Sequence, residues 1–172
     1  MSRHICDLKI GDTLDFAHIE KNVKIQYPFK EYKRLTLIAG GTGITPIIQA
    51  LHSILGNPDD KRQVVLLYGS VDSDNILCYQ LLKQWENAYP NQLKVVHVLS
   101  QEPVDSEWKG ERGYIGEAIL KKYYFDSVRS SDGFFVCGPP AMNDALCGDR
   151  TKKEVTGILH DMGFEDSSVI KF

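Results

Sequence analysis

Two short stretches hold residue types at spacings that can do chemistry. The first is Gly40-Gly41-Thr42-Gly43-Ile44-Thr45-Pro46, directly after the apolar run Arg34-Leu35-Thr36-Leu37-Ile38-Ala39. A buried strand that breaks into glycines and then enters a helix sits at the carboxyl edge of an open α/β sheet, where such sheets bind ligands. Glycines let the backbone approach a phosphate closely, and the free amides and positive dipole end of the following helix favour an anion such as a pyrophosphate. A tight, ligand-free turn is the alternative. A Walker-type triphosphate loop is excluded, because no Gly-Lys-Ser or Gly-Lys-Thr follows. The second stretch is Phe135-Val136-Cys137-Gly138-Pro139-Pro140-Ala141-Met142. Its strand delivers a thiol to the same edge, and Gly-Pro-Pro then makes a rigid turn that cannot continue the strand. Cys137 is either a site thiol facing the glycine loop or a buried, inert cysteine. A thiol-protease nucleophile is disfavoured, since no histidine with a matching signature accompanies it.

The elements that must position these stretches follow from periodicity. Thr45 is a suitable N-cap and Pro46 a suitable first helical residue. Ile47, Ile48, Leu51, Ile54 and Leu55 then recur at helical spacing. Val64–Tyr68 reads as a second strand, Ile76–Tyr89 as a helix, Leu93–Leu99 as a third strand and Gly116–Tyr124 as a short helix. Gly133–Cys137 is the fourth strand, a last helix spans about 152–162 and ends at Gly163, and Val169–Phe172 closes the series. Strands that alternate with helices and lack polar alternation predict an α/β fold: an open, parallel, five-stranded sheet of Rossmann-like form with helices on both faces. The first thirty residues differ. Thr13–Phe16 and Asn22–Tyr27 alternate apolar and polar side chains as half-exposed antiparallel strands do, so they read as the tail of another domain.

Composition narrows the function. With 172 residues, 42% of them apolar, the chain has the size of one ordinary domain. A net charge of -3 gives no reason to expect a nucleic-acid partner, and the basic runs at 30–34 and 150–153 are broken by acidic or polar residues. Cys6, Cys78, Cys137 and Cys147 show no Cys-x-x-Cys spacing, which favours reduced, intracellular thiols. The five histidines lack metal-ligand spacing, so no metal is expected. Trp85 and Trp108 read as core or loop anchors.

The glycine loop and the Cys-Gly-Pro-Pro turn occur together with Val65-Leu66-Leu67-Tyr68-Gly69, Asn75-Ile76-Leu77 and the terminal Val169-Ile170-Lys171-Phe172. In this combination the chain resembles the NADH-cytochrome b5 reductases. That group lies in the ferredoxin-reductase superfamily and includes the reductase portion of nitrate reductases. Leu8–Thr13 resembles the end of the family's flavin domain, so residues 1–30 are expected to be a remnant of that antiparallel barrel and 31–172 the NAD-binding domain. The resemblance implies NADH and FAD as cofactors, with hydride passing from NADH to FAD and single electrons then to a haem protein such as cytochrome b5. Cys137 and Thr45 become the catalytic pair, the thiol acting by placing the nicotinamide and forming no covalent intermediate. Gly40, Gly41, Thr42, Gly43, Ile44 and Pro46 become the phosphate turn. Gly138, Pro139, Pro140 and Met142 form the wall beside the nicotinamide, and Tyr68, Asp74, Asn75 and Phe172 complete the NADH set. Met1 and Ser2 match a segment that holds the FAD pyrophosphate.

The sequence also departs from the family. The upstream barrel with its Arg-x-Tyr-Thr or Arg-x-Tyr-Ser motif is expected before Met1, so these residues alone should bind flavin weakly or not at all. Asn75 stands where the family has an Asp that repels an NADP 2′-phosphate, with Asp72 and Asp74 near enough to restore acidity. Tyr79 replaces an Arg, and His18-Ile19-Glu20-Lys21 replaces a Gly-Pro-x-Gly turn. Rival readings are the reductase portion of a nitrate reductase or other acceptor reductase, and a non-catalytic NADH-binding module. A monomer is expected, with membrane contact only through an upstream anchor, at the cytoplasmic face of the endoplasmic reticulum or a mitochondrial membrane.

Overall fold

The structure, a computed structural model, describes residues 2–15, 17, 23–29, 31–124 and 131–172. In chain order its elements are α1 (Ser2–Cys6), β1 (Arg34–Gly40), α2 (Ile44–Leu55), β2 (Gln63–Ser70), α3 (Tyr79–Ala88), β3 (Leu93–Leu99), β4 (Glu111–Arg112), α4 (Glu117–Tyr123), β5 (Asp132–Cys137), α5 (Pro140–Leu146), α6 (Gly157–Asp161) and β6 (Val169–Lys171). Three 3-10 turns, Gly41–Gly43, Ser73–Asn75 and Asp166–Ser168, join them.

Every residue of β1 is buried, as a strand covered on both faces requires. The sheet runs β4-β3-β2-β1-β5-β6 with all neighbours parallel. On one face Leu35, Leu37 and Tyr68 meet Ile47, Leu51 and Ile54 of α2 and Leu82 of α3. On the other, Ile38, Leu67 and Val136 meet Leu120 of α4, Leu146 of α5 and Leu159 of α6. Each face therefore has its own apolar core, and the period-2 alternation of β1 feeds both. The chain moves outward from β1 through β2 and β3 and returns to its other side with β5, so the switch point lies at the carboxyl ends of β1 and β5. At the opposite edge the paired first residues Arg34 and Asp132 form a buried, two-pronged ion pair, Nε to Oδ1 at 2.6 Å and Nη2 to Oδ2 at 2.5 Å. It ties the same two strands at their amino ends.

All five expected strands are present, and the sheet gains a sixth. β4 has two residues, too few to leave a periodic signal, and exists through its pairing with the end of β3. α3 starts at Tyr79 and not at Ile76, because Cys78 takes a left-handed conformation (φ 58°) that interrupts the helix. α6 is confined to five residues. The preceding segment is held as a loop by the Lys171 ammonium, which donates to the carbonyls of Asp149 and Glu154, and by the Val155 amide bound to the Asp166 carboxylate.

The strand expectation for 13–16 and 22–27 needs correction. No strand occurs among the described residues of the first thirty. Residues 23–26 have no ladder partner among the described residues, and Ile25 and Tyr27 instead lean onto the α2-side core. Phe16, Asn22 and the 18–21 segment lie outside the described residues. Among the described residues no helix is long and apolar enough to cross a membrane.

Candidate functional site: two interlocked turns at the switch point

The first turn grows out of β1. Gly41 takes φ +52°, which turns the chain into the 3-10 turn, and Ile44 donates its amide to the Gly41 and Thr42 carbonyls. The N-cap of α2 is Gly43, which offers no side-chain oxygen, and the first turn of α2 carries no acidic residue. The amino end of α2 thus has no side-chain cap and no acidic residue in its first turn, conditions that suit an anion there. Thr45 is not the N-cap expected from sequence: it lies inside the helix, exposed, with its hydroxyl donating back to the Thr42 carbonyl at 3.2 Å. The buried Tyr68 of the neighbouring strand donates its hydroxyl to the Gly41 carbonyl at 3.2 Å.

The second turn grows out of β5, where Cys137 pairs in register with Ala39. Pro139 is the N-cap of α5 and Pro140 its first residue, a position where a missing N–H does no harm. The buried Asn143 carboxamide donates to the carbonyls of Gly138 at 2.9 Å and Pro139 at 3.3 Å, bracing the turn from beneath. The two turns touch: a Cβ on Gly43 would fall 2.1 Å from the Cys137 carbonyl oxygen. Burial pushes the half-buried Cys137 thiol above its ordinary pKa, with the positive charge of Arg150 pulling weakly the other way. A neutral thiol suits a positional role better than a nucleophilic one.

Beside these turns lies a crevice of about 370 Å³. Gly40, Gly41, Pro139 and Met142, all named from the sequence, line it together with Gly69, Ser100, Tyr114 and Ile115, which are not among the expected site residues. A larger groove of about 860 Å³ runs along α2, lined by Tyr27, Pro46, Phe135 and Phe172. Thr42, Gly43, Ile44, Thr45, Cys137, Gly138 and Pro140 line neither space. Tyr114 is 80% exposed at the crevice rim. Its only sequence signal is the Gly113-Tyr114 step, where Gly113 takes φ +97°.

The 3-10 turn after β2 carries Asp74 and Asn75, both exposed. Asp72 caps it: its carboxylate accepts from the Asn75 amide at 3.0 Å and from the Asn75 side chain at 2.7 Å. Glu102 reaches across from the loop after β3 to the Ser73 amide at 2.8 Å. Hydrogen bonds from the Ser106 hydroxyl, then the Ser73 amide, hold its carboxyl below the usual range. Ser2 begins the five-residue α1, and Met1 lies outside the described residues. All four cysteines are unpaired.

Residues 37–148 match the family model described as oxidoreductase NAD-binding domain. The chain belongs to this family. Within the NAD-binding family it is similar to NADH-cytochrome b5 reductase 2 of Aspergillus oryzae, 36% identical over all of this chain and 53% of that protein. The protein of that name from Scheffersomyces stipitis is 40% identical over all of this chain and 57% of its own length. The chain thus spans about half the length of the curated relatives it matches. Among solved structures, the cytochrome b5 reductase domain of Ulva prolifera nitrate reductase superposes with a TM-score of 0.70 at 29% identity, over 82% of this chain and 49% of that one. The CS-b5R domains of human Ncb5or, in the NAD+ form, give 0.73 at 27% identity, over 99% of this chain and 44% of that one.

Proposed function

We propose that this chain binds NADH across the carboxyl edge of its sheet and holds the nicotinamide beside Cys137 for hydride transfer to a flavin on an adjoining domain. Electrons then leave singly to a haem protein of the cytochrome b5 type. One observation carries the reading: the glycine turn after β1 and the Cys-Gly-Pro-Pro turn after β5 interlock at the switch point, with an open crevice alongside.

In this reading the Thr42 amide, together with the positive end of the α2 dipole, holds the pyrophosphate. Tyr114 offers its exposed ring to the base, and the Asp72–Asn75 pair meets the adenosine ribose. Gly138, Pro139 and Met142 form the wall that keeps the nicotinamide ring from rotating away, and Cys137 fixes its approach. A flavin needs a slot with aromatic walls beside the nicotinamide, and the groove bordered by Pro46, Tyr27 and Phe172 provides this chain's side of one. When bound, the flavin supplies the conversion of two-electron to one-electron chemistry. This chain contributes proximity and alignment.

Calorimetry of the folded chain with NADH and ADP-ribose tests the binding half. Absence of affinity for both would sink it. The full-length protein loaded with FAD tests the rest: NADH-driven reduction of ferricyanide and of cytochrome b5 is expected. Binding without any ferricyanide reduction would leave a nucleotide-sensing module.

A further inference from the structure

We infer that Tyr68 is a positioning residue whose hydroxyl locks the Gly41 carbonyl inward, so that the amides of the glycine turn stay aimed at the pyrophosphate. The inference rests on the NADH reading above and adds a part to it that touches no cofactor atom.

The peptide after Gly41 is the place where this turn is free to fail. Gly41 sits at φ +52°, and a Cβ there would have no atom within 4 Å, so no side chain at this position fixes the turn. If the Gly41–Thr42 peptide flips, its carbonyl oxygen faces the anion and the Thr42 amide turns away. A donor becomes an acceptor at the point where the site needs a donor. In the observed geometry the Gly41 carbonyl points inward and has both lone pairs used, one by the Ile44 amide and one by the Tyr68 hydroxyl.

The strut itself is rigid. Tyr68 is fully buried on β2, and its ring lies 5.8 Å from that of His97. His97 is wedged in turn by Tyr79 at 5.3 Å and Trp108 at 6.3 Å. Burial raises the Tyr68 phenol above its ordinary pKa, so it remains a donor at every working pH. Packing alone does not account for the hydroxyl. A phenylalanine fills the same space without the desolvation penalty of a buried polar group. The hydroxyl is also reached by Ser70 and the Leu77 backbone, and it donates to the Gly41 carbonyl.

The test is Tyr68→Phe in the 172-residue chain, with calorimetry against adenosine, ADP-ribose and NADH. Loss of one neutral hydrogen bond predicts affinity about fivefold weaker for ADP-ribose and NADH, with adenosine unchanged. Without ligand, amide hydrogen exchange in the 40–46 segment should quicken by a similar factor while 132–137 keeps its protection. Wild-type affinity for ADP-ribose, or a loss shared equally by adenosine, overturns the inference. If the wild-type chain binds neither nucleotide, the NADH reading falls, and unchanged exchange at 40–46 is what would remove the lock itself. Should the variant not fold, deuteration of the Tyr68 hydroxyl in the unsubstituted protein decides the matter. It should shift the Gly41 carbonyl carbon resonance, and no isotope shift would overturn the inference.

Discussion

Gly43 rests directly against the carbonyl of Cys137, with 2.1 Å between that oxygen and the place a Cβ would take. The contact joins the two turns after adjacent parallel strands, so the position of one sets the position of the other. Gly43→Ala cannot be relieved by a side-chain rotation, because the obstructing atoms are backbone. It is expected to cost about 3 kcal/mol of stability and to abolish dinucleotide binding. Gly41→Ala, with open space but positive φ, is expected to cost about 1–2 kcal/mol. Urea unfolding of both variants checks the order, and equal losses would contradict the interlock.

The Asp72 carboxylate is held 2.7 Å from the Asn75 side chain, and in the proposed NADH reading it would supply the negative charge that Asn75 lacks. Asp72→Asn is predicted to raise the NADPH-to-NADH affinity ratio about fivefold, the scale of an exposed charge interaction of about 1 kcal/mol. Asn75→Asp is predicted to lower it. Competition binding with both nucleotides measures the ratio; no movement in either variant would mean that the turn does not read the ribose.

His97 makes stability depend on pH. Burial lowers its pKa from 6.5 to about 4, and its Nδ1 has no hydrogen-bond partner. Below pH 6.5 the unfolded chain takes up a proton that the folded chain refuses until about pH 4. The unfolded state therefore binds more protons in that window, and stability present above 6.5 declines as pH falls toward 4. The loss is on the order of 2 kcal/mol after allowing for the part of the ring that solvent reaches. Denaturant midpoints across this range should fall in the wild type, and the His97 share of that slope should vanish in His97→Phe.

Arg34 and Asp132 lie at the edge of the sheet away from the crevice. Asp132→Ala removes the carboxylate that the buried Arg34 guanidinium and the Tyr124 hydroxyl both bind and is expected to cost about 3–5 kcal/mol, with ADP-ribose affinity unchanged wherever the variant remains folded. A joint replacement by Leu at 132 and Met at 34 should recover part of that loss, the Tyr124 hydroxyl still losing its Asp132 acceptor. Urea unfolding of the single and double variants separates a structural pair from one that serves the site.

The sequence by itself determined the class of fold, the chain order of the five expected strands and the two turns, because each depends on local features. Continuous apolar runs mark strands buried on both faces, and glycine or Gly-Pro-Pro marks where they stop. Three-residue and four-residue apolar spacing located α2 for the same reason, although the helix begins at Ile44, one residue before the expected cap. What only the tertiary structure decided depends on contacts between residues distant in the chain. β4 is a strand solely because β3 is beside it. Asn143 braces a turn and Tyr114 reaches the crevice rim, and neither stands in a pattern that announces it; Tyr68 stands in a recognised motif, but its contact with Gly41 across 27 positions does not show in the sequence. The alternation in 13–27 carried a strand signal, yet alternation shows only which side chains could share a face; a ladder needs a neighbouring strand, and residues 23–26 have none among the described residues.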